Sequence, residues 1–345
     1  MQQYGCGRLA AIVALAGALS ASLYASAHAQ APAAPFKEFS VYIGSSTGGG
    51  YDQYGRLLAR HIGSHLPGKP TVIPRNMPAG SGRAVMNYIY NVAPKDGSAI
   101  GITLRNVAFD PLMGVEGSQF EAGKLTWIGS MNSETSICVA WKAAGFKGLD
   151  DIKAKTILMG SGGPSASDSI HAKLLNKVAG TKMKIIEGYQ GSTEVHLAME
   201  RGEVQGRCGL GWDSILARYK KWLDEDKVVL LAQFAVDKNP DLPNVPFVMD
   251  LATTTEHRQM LELMLGPNKM GRPVFAPPGL PAERVAMLRR AFDATMADKA
   301  LIADGEKMSM GADFMTGQDV AAMVAKLYAT PKDVVEQTVE IMGVR

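Results

Sequence analysis

Apolar and polar positions in the first hundred residues follow two periodicities in turn, which predicts strands that alternate with helices. Residues 39–43 alternate apolar with polar positions, and residues 51–65 repeat apolar positions at helical spacing. The succession continues through a strand at 70–74, a helix at 83–92 and a strand at 99–104. Such a β-α-β-α-β run predicts a largely parallel sheet with helices on its faces.

The same alternation restarts in the middle of the chain, which predicts a second α/β half without a tandem repeat. Strands are predicted at 137–141, 156–159, 183–186, 204–208, 247–249 and 274–276, and helices at 149–154, 167–179, 194–201, 281–296, 318–328 and 332–342. A chain of 345 residues is long enough for two modest lobes.

The N-terminal segment predicts export. Arg8 precedes the apolar residues 9–19, and small residues follow up to Ala27-His28-Ala29. A charged start, a short apolar core and an A-x-A site are typical of a cleavable signal peptide, here residues 1–29. The alternative is an N-terminal membrane anchor that is retained, but the apolar run is short for a bilayer. We therefore expect a soluble mature protein in the periplasm.

Composition excludes some partners and leaves the state of the cysteines open. The formal net charge is +3, and no run of Lys and Arg concentrates on one face, so no nucleic-acid partner is expected. Cleavage would leave Cys138 and Cys208. An oxidising compartment permits a disulfide between them, and two buried free thiols are the alternative.

Two loops between a strand and a helix provide the candidate chemistry. Residues 44–50 and 160–165 are rich in glycine and hydroxyl side chains and each precedes a predicted helix. A helix N-terminus presents unpaired N–H groups and a partial positive charge, and glycine lets a ligand approach the backbone closely. Two such loops at strand ends predict a crevice that holds a carboxylate or phosphate from both sides.

Further candidates follow predicted strands. Arg105 can bind a carboxylate through two parallel hydrogen bonds, or it can be a solvated loop arginine. Tyr189 can line the cleft or belong to the core. The predicted ligand-binding residues are Ser45, Ser46, Thr47, Gly48, Gly49, Arg105, Ser161, Gly162, Gly163, Ser165, Tyr189, Arg207 and Asp213.

The first loop also fits a catalytic motif. Gly44-x-Ser46-x-Gly48 has the nucleophile-elbow spacing, so a secreted serine hydrolase with Ser46 as nucleophile is the alternative function. The sequence contains no His-Gly-Gly-Gly oxyanion segment, and Gly50 stands where a phosphate-binding loop needs Lys. We expect no enzyme activity, no cofactor and no metal ion.

The order of several short motifs resembles the substrate-binding proteins of tripartite tricarboxylate transporters, the Bug family. Gly48-Gly49-Gly50-Tyr51-Asp52 resembles the family's Gly-Gly-x-x-Asp opening. The other segments that carry the resemblance are 76–82 (Asn-Met-Pro-Ala-Gly-Ser-Gly), 93–97 (Ala-Pro-Lys-Asp-Gly), 188–192 (Gly-Tyr-Gln-Gly-Ser), 242–246 (Leu-Pro-Asn-Val-Pro) and 276–282 (Ala-Pro-Pro-Gly-Leu-Pro-Ala). The chain departs from the family pattern at Arg105, at His171-Ala172 and at Arg207-Cys208-Gly209.

The resemblance implies a two-lobed periplasmic-binding-protein fold of Venus-flytrap type. Lobe 1 would comprise residues 30–132 and 271–345, and lobe 2 residues 133–270. The implied protein is a monomer that captures a small organic carboxylate and passes it to membrane permease subunits, with the loops at 44–50 and 160–165 holding the carboxylate. A sensor subunit with the same binding chemistry is a further possibility that the sequence leaves open.

Overall fold

In a computed structural model, the structure describes residues 35–342 apart from Ser46, Gly49, Pro164, Ser165, Gln190, Gly191, Ser309 and Ala312. The predicted signal peptide lies outside the described residues.

Eleven strands and twelve α-helices are described within these residues. The strands are β1 Glu38–Ile43, β2 Thr71–Asn76, β3 Ala99–Ile102, β4 Thr126–Ser130, β5 Ser136–Trp141, β6 Ile157–Gly160, β7 Met183–Ile186, β8 Gly206–Gly211, β9 Val228–Phe234, β10 Pro273–Ala276 and β11 Met315–Thr316. The helices are α1 Gly50–His65, α2 Arg83–Asn91, α3 Leu149–Ala154, α4 Ser167–Ala179, α5 Ser192–Glu200, α6 Trp212–Arg218, α7 Lys220–Asp224, α8 Thr255–Lys269, α9 Ala282–Met296, α10 Lys299–Lys307, α11 Gly317–Tyr328 and α12 Lys332–Met342.

The strands form two mixed sheets. The first has the order β11-β4-β10-β3-β1-β2, and the second has the order β7-β6-β8-β5-β9. Parallel pairing joins β1 to β2 and β3, and joins β6 to β7 and β8. The pairs that involve β4, β5, β9, β10 and β11 are antiparallel.

The predicted α/β architecture of two sheets flanked by helices is confirmed, with a refinement. The sheets are mixed rather than largely parallel, because the chain crosses from one sheet to the other through β4–β5 and returns into β10 in the opposite direction. The strand predicted at 247–249 is wrong: Phe247 forms a single bridge with Gln233, and a 3₁₀ turn follows at Val248–Leu251.

The two crossovers run side by side. Met131 N–H donates to Arg272 O at 3.1 Å, Gly271 N–H donates to Asn132 O at 2.8 Å, and Glu134 N–H donates to Asn268 O at 2.8 Å. These bonds satisfy backbone groups that would otherwise be orphaned between the sheets. The junction is therefore a hydrogen-bonded ribbon rather than a pair of loose linkers.

Two helices pack against the cores of both sheets. In α8, Met260 and Leu265 belong to the core beside the second sheet, whereas Leu263 belongs to the core beside the first. In α12, Val334 belongs to the core beside the second sheet and Val339 to the core beside the first. Apolar burial of this kind stabilises a side chain by about 1.5–3 kcal/mol. One face of the junction is thus covered by helices that both halves share.

A disulfide joins Cys138 to Cys208 inside the second sheet. Cys138 lies on β5 and Cys208 on the antiparallel neighbour β8, and both side chains are fully buried. The bond closes a loop of 70 residues, and such a crosslink restricts the unfolded chain.

Within the described part of the chain, no helix combines the length and the apolar character needed to cross a membrane.

A close backbone approach at Gly206 gives a test of the second sheet. A β-carbon on this residue would collide with the Val139 carbonyl oxygen on β5, and a carbonyl in a sheet cannot turn aside as a flexible side chain can. We expect Gly206→Ala to lower the free energy of unfolding by about 1–3 kcal/mol in urea denaturation.

Gly123→Ala is the matched control, because a β-carbon there meets no atom within 4 Å. It should change the free energy of unfolding by less than about 0.5 kcal/mol. Equal stability of the two variants would contradict the described packing of β5 on β8.

Candidate functional site

The first predicted anion loop is organised by a carboxylate of the protein itself. Asp52, in the first turn of α1, is 2% exposed and accepts hydrogen bonds from Gly48 N at 2.8 Å, Arg56 Nε at 2.9 Å and Asn76 Nδ2 at 2.7 Å. Burial works to raise the pKa of Asp52, but the bonds from Arg56 and Asn76 outweigh it and the pKa is lowered. Asp52 therefore fixes the loop and the start of α1, as an acid in a first helical turn favours.

The other described residues of this loop differ in exposure. Ser45 Oγ is buried and has no hydrogen-bond partner, while Thr47 and Gly48 are exposed. Ser46 and Gly49 lie outside the described residues. A buried hydroxyl without a partner is unusual in a folded protein and marks a place where a ligand can complete the bonding.

Arg105 follows β3 and is held by an ion pair across the junction. Its Nη1 lies 2.8 Å and its Nη2 3.2 Å from the two carboxylate oxygens of Glu134, and its Nε donates to Asn268 Oδ1 at 2.9 Å. Arg272 Nη1 donates to the same carboxylate at 3.1 Å. Glu134, Arg105 and Arg272 are named here the Glu134 cluster. Burial works to raise the pKa of Glu134, but the two guanidinium groups hold it below its usual value.

Arg272 connects this cluster to the first loop. Its guanidinium lies 4.3 Å from the ring centre of Tyr51 and 4.9 Å from that of Tyr54. Its Nη2 is 3.7 Å from the position that a β-carbon on Gly50 would take. Arg272 Nε is buried and has no acceptor. A positive group with a free N–H thus stands beside the N-terminus of α1, where an anion is favoured.

His171, on α4 of the second half, is close enough to the same cluster to be affected by its charges. Burial, with the charge of Arg105, lowers the pKa of His171 to about 3, so the ring is neutral at ordinary pH. The ring stacks on Phe234 with centroids 4.4 Å apart. A neutral ring adds no charge to the Glu134 cluster, which keeps one net positive charge.

The second loop repeats the design of the first. Asp168, in the first turn of α4, accepts hydrogen bonds from Ser161 Oγ at 2.6 Å and from Ser169 N at 3.0 Å, with Gly162 N at 3.4 Å. Gly163 N donates to Ser161 Oγ at 3.2 Å. Ser165 lies outside the described residues. The N–H groups of Gly162 and Gly163 therefore already donate to acceptors within the protein, Asp168 and Ser161.

Arg207 is only 4% exposed and contacts polar groups of the protein. Its Nη1 lies 2.9 Å from His196 Nε2, and its Nη2 lies 3.6 Å from Asp168 Oδ2. Burial, with the charge of Arg207, lowers the pKa of His196 to about 4. Arg207 thus lies close to Asp168, the residue that organises the second loop. Direct contact between Arg207 and a solute stays a prediction.

Tyr189 follows the edge strand β7 of the second sheet, and Asp213 follows the inner strand β8. Tyr189 N donates to Ser161 O at 3.3 Å, and its ring is half-buried against the core. Asp213 lies in the first turn of α6 and lines a cavity of about 540 Å³ between the two sheets. Glu134 and Asn268 line the same cavity.

The structure brings together Arg105, Glu134, Arg272 and the start of α1, and it places Asp213 at the adjoining cavity. Sequence analysis missed Glu134 and Arg272 because each is a single charged residue in a crossover, without a motif. Arg272 could have been found from its place two residues before the strand predicted at 274–276.

The ionic role of Asp52 gives a pH-dependent test. Asp52→Asn should lower the free energy of unfolding by about 1–3 kcal/mol at pH 7, because Arg56 and the loop lose their charged acceptor. The folded pKa is below the ordinary 3.8, so this stabilisation is complete above 3.8 and disappears as pH falls through the folded value. Urea denaturation at pH 7 and at about pH 3 should show the gap between the proteins narrowing in acid. A gap of the same size at both pH values would contradict the ionic role.

The Glu134 cluster gives a second test. Glu134→Gln leaves two buried guanidinium groups without a counter-charge, which should cost about 3–5 kcal/mol of stability. Added acetate should raise the melting temperature of this variant more than that of the wild type, because the anion replaces the lost carboxylate. The control is Glu262→Gln, whose partner Lys326 is 71% exposed, and its effect should stay within about 1 kcal/mol. A wild-type melting temperature for Glu134→Gln would show that the arginines do not depend on Glu134.

Solved structures share this fold over nearly the whole chain. A TctC solute-binding protein from Polaromonas aligns with a TM-score of 0.69 at 19% identity, over 87% of this chain and 98% of that one. MatC from Rhodopseudomonas palustris, solved with bound malate, aligns with a TM-score of 0.60 at 17% identity, over 88% and 100% of the two chains. An R. palustris protein solved with adipate aligns with a TM-score of 0.61 at 16% identity, over 90% of this chain and 98% of that one.

No family model matches the sequence. No curated protein matches it either. Identities below 20% support the fold and leave function to be argued from the site. The chain has the two-lobed α/β fold of the TctC and Bug periplasmic solute-binding proteins.

Proposed function

We propose that this protein is a periplasmic solute-binding protein that captures a small organic carboxylate for a membrane transporter of the tripartite tricarboxylate type. It acts as a monomer, is exported by residues 1–29, and delivers the solute to the permease subunits. In this proposal one lobe comprises residues 30–132 and 271–345, and the other comprises residues 133–270.

The observation that carries the proposal is a pair of buried donors without acceptors beside the start of α1. Ser45 Oγ and Arg272 Nε are both buried, and neither has a hydrogen-bond partner among the described residues. Leaving a buried donor unpaired costs about 1–3 kcal/mol, and more for a charged group. A solute carboxylate has the charge and the lone pairs to satisfy both donors and to meet the helix dipole.

The charge balance supports an anionic solute as well. Arg105 and Arg272 carry two positive charges, and Glu134 neutralises one of them. Micromolar affinity corresponds to about −8 kcal/mol, and charge-assisted hydrogen bonds contribute about 1.5–3 kcal/mol each before ordering costs. The neighbours solved with malate and with adipate hold ligands of this chemical class.

A thermal-shift screen against a carboxylate library tests the proposal. At least one small carboxylate should raise the melting temperature in a concentration-dependent way, whereas matched amides and alcohols should not. If no carboxylate did so, the proposed function would fail.

Ser45→Ala then tests whether the unpartnered Ser45 hydroxyl binds the carboxylate found in that screen. Because the hydroxyl has no partner in the protein, its removal should leave the free energy of unfolding unchanged within about 0.5 kcal/mol. Calorimetric affinity for the carboxylate should fall about tenfold, the value of one hydrogen bond to a charged group. Ser64→Ala, at an exposed hydroxyl that bonds the His61 carbonyl, is the matched control and should keep wild-type affinity. Unchanged affinity in Ser45→Ala would remove this hydroxyl from the site.

A further inference from the structure

The carboxylate that organises the second loop depends on a strand outside its own helix. In the first loop, Asp52 pairs with Arg56, four residues further along α1. The residue four positions after Asp168 on α4 is Ala172, which carries no charge. The guanidinium beside Asp168 belongs instead to Arg207 on β8, with Nη2 at 3.6 Å from Oδ2. The order of the second loop is therefore tied to the position of β8.

Strand β8 has a bulge next to Arg207. The register between β5 and β8 shifts between Ile137 and Val139, so that Cys138 on β5 faces two residues of β8, Cys208 and Gly209. An extra residue of this kind interrupts the hydrogen-bonded ladder and bends the strand. The disulfide between Cys138 and Cys208 therefore crosslinks the two strands at the point where their backbone pairing is interrupted.

Gly209 brings this bulge into contact with the start of α4. Its φ is +70°, a left-handed conformation that favours glycine. A β-carbon on Gly209 would lie 2.8 Å from Asp168 N and 2.8 Å from Ser167 Oγ. The backbone of the bulge therefore packs directly on the first turn of α4, and no side chain fits between them.

Arg207 joins the bulge to Asp168 through its guanidinium. Its Nε donates to Cys208 O at 3.2 Å, so the side chain folds back onto the bulge. Its Nη1 donates to His196 Nε2 at 2.9 Å, because arginine can only donate. The His196 ring packs edge-on against Tyr219, with ring centres 4.4 Å apart. These contacts hold the buried guanidinium in one position, with Nη2 on the side of Asp168.

Asp168 connects this arrangement to the loop itself. It accepts from Ser161 Oγ at 2.6 Å and from Gly162 N at 3.4 Å, so one carboxylate fixes a side chain and the backbone of the loop. Direct contacts thus run from the disulfide through the bulge and Asp168 to the loop. A loop that has to be ordered during binding lowers affinity, because the ordering costs conformational entropy.

We infer that the Cys138–Cys208 disulfide and Arg207 act together to position the second loop, so that the crosslink serves solute binding as well as stability. The role of this loop in binding rests on the proposed function. The disulfide fixes the bulge, Gly209 packs the bulge on α4, and Arg207 holds Asp168. A disulfide that served stability alone would change this loop only as much as it changes the whole protein.

Amide hydrogen exchange of the mature chain tests the positioning without a ligand. In Cys138→Ala/Cys208→Ala and in Arg207→Met, the Gly162 and Gly163 N–H groups should exchange about tenfold faster than in the wild type, because the loop opens more often. In Arg207→Lys the rate should lie between those of the wild type and Arg207→Met, because lysine keeps the charge and loses the guanidinium fork.

Two control variants separate this effect from a general loss of stability. Phe292→Leu removes packing from a fully buried side chain that lies against Gly129 on β4, so it destabilises the protein in the first half. Arg201→Met removes an arginine that is 59% exposed and pairs with Glu203. Both controls should keep the wild-type exchange rate in the second loop, since exchange by local opening does not require global unfolding.

The exchange rates can overturn the inference in two ways. Wild-type rates at Gly162 and Gly163 in both Cys138→Ala/Cys208→Ala and Arg207→Met would show that neither group positions the loop. Equal acceleration in Phe292→Leu would show that the loop follows overall stability alone.

Calorimetry with the carboxylate found in the screen then tests the connection to binding. The affinity should fall about tenfold in Cys138→Ala/Cys208→Ala and in Arg207→Met, and it should stay at the wild-type value in both controls. Unchanged affinity in both variants would overturn the inference and leave the carboxylate proposal standing. If no carboxylate binds the wild type, the proposed function is rejected, and the exchange rates still decide whether the disulfide and Arg207 position the loop.

Discussion

The carboxylate of Glu134, held between Arg105 and Arg272, is the interaction on which the site depends. Its three members come from the end of β3 and from the two crossovers, so a single carboxylate joins both connections between the sheets to the first half. Removing one partner of a buried ion pair costs more stability than removing both, because the remaining charge is then buried without a partner. The cluster also turns Arg272 toward the start of α1, so the geometry of the junction and the charge of the cleft have the same origin.

Carboxylates of the protein itself organise the two glycine-rich loops. Asp52 and Asp168 occupy corresponding positions in α1 and α4, and each accepts a backbone N–H from the glycine loop before it. Internal carboxylates of this kind order the loops in advance, which lowers the conformational entropy that binding at the proposed site would cost. Beside the start of α1, Ser45 Oγ and Arg272 Nε are buried and keep no hydrogen-bond partner among the described residues.

Sequence patterns predicted the parts of the fold whose signals are local. The helices at 149–154, 167–179 and 332–342 have the predicted bounds, because each has a clear apolar stripe between polar ends. Strand β9 was missed because the run from Val228 to Phe234 is apolar on both faces, and such a run has no period that separates strand from helix. The short β11 was missed because its two residues become a strand only by pairing with β4.

The site was only partly predictable for a related reason. Arg105 was selected because it follows a strand, but its partner Glu134 is 29 positions away and the contact is made by tertiary structure alone. Tyr54 likewise could not be selected from its own position in the sequence. It contacts both Arg272 and Asn132, and these contacts join segments more than 70 positions apart.

The strand order of the first sheet has a consequence for how the chain reaches its folded state. Strands β10 and β11 flank β4 in that sheet, so the sheet lacks members until residues 273–316 have been synthesised. Pairings between segments this distant in sequence are slow to form, because loop-closure entropy must be overcome first. The first sheet therefore reaches its full strand order only when the C-terminal quarter of the chain is present, and a chain truncated before residue 273 would lack both neighbours of β4.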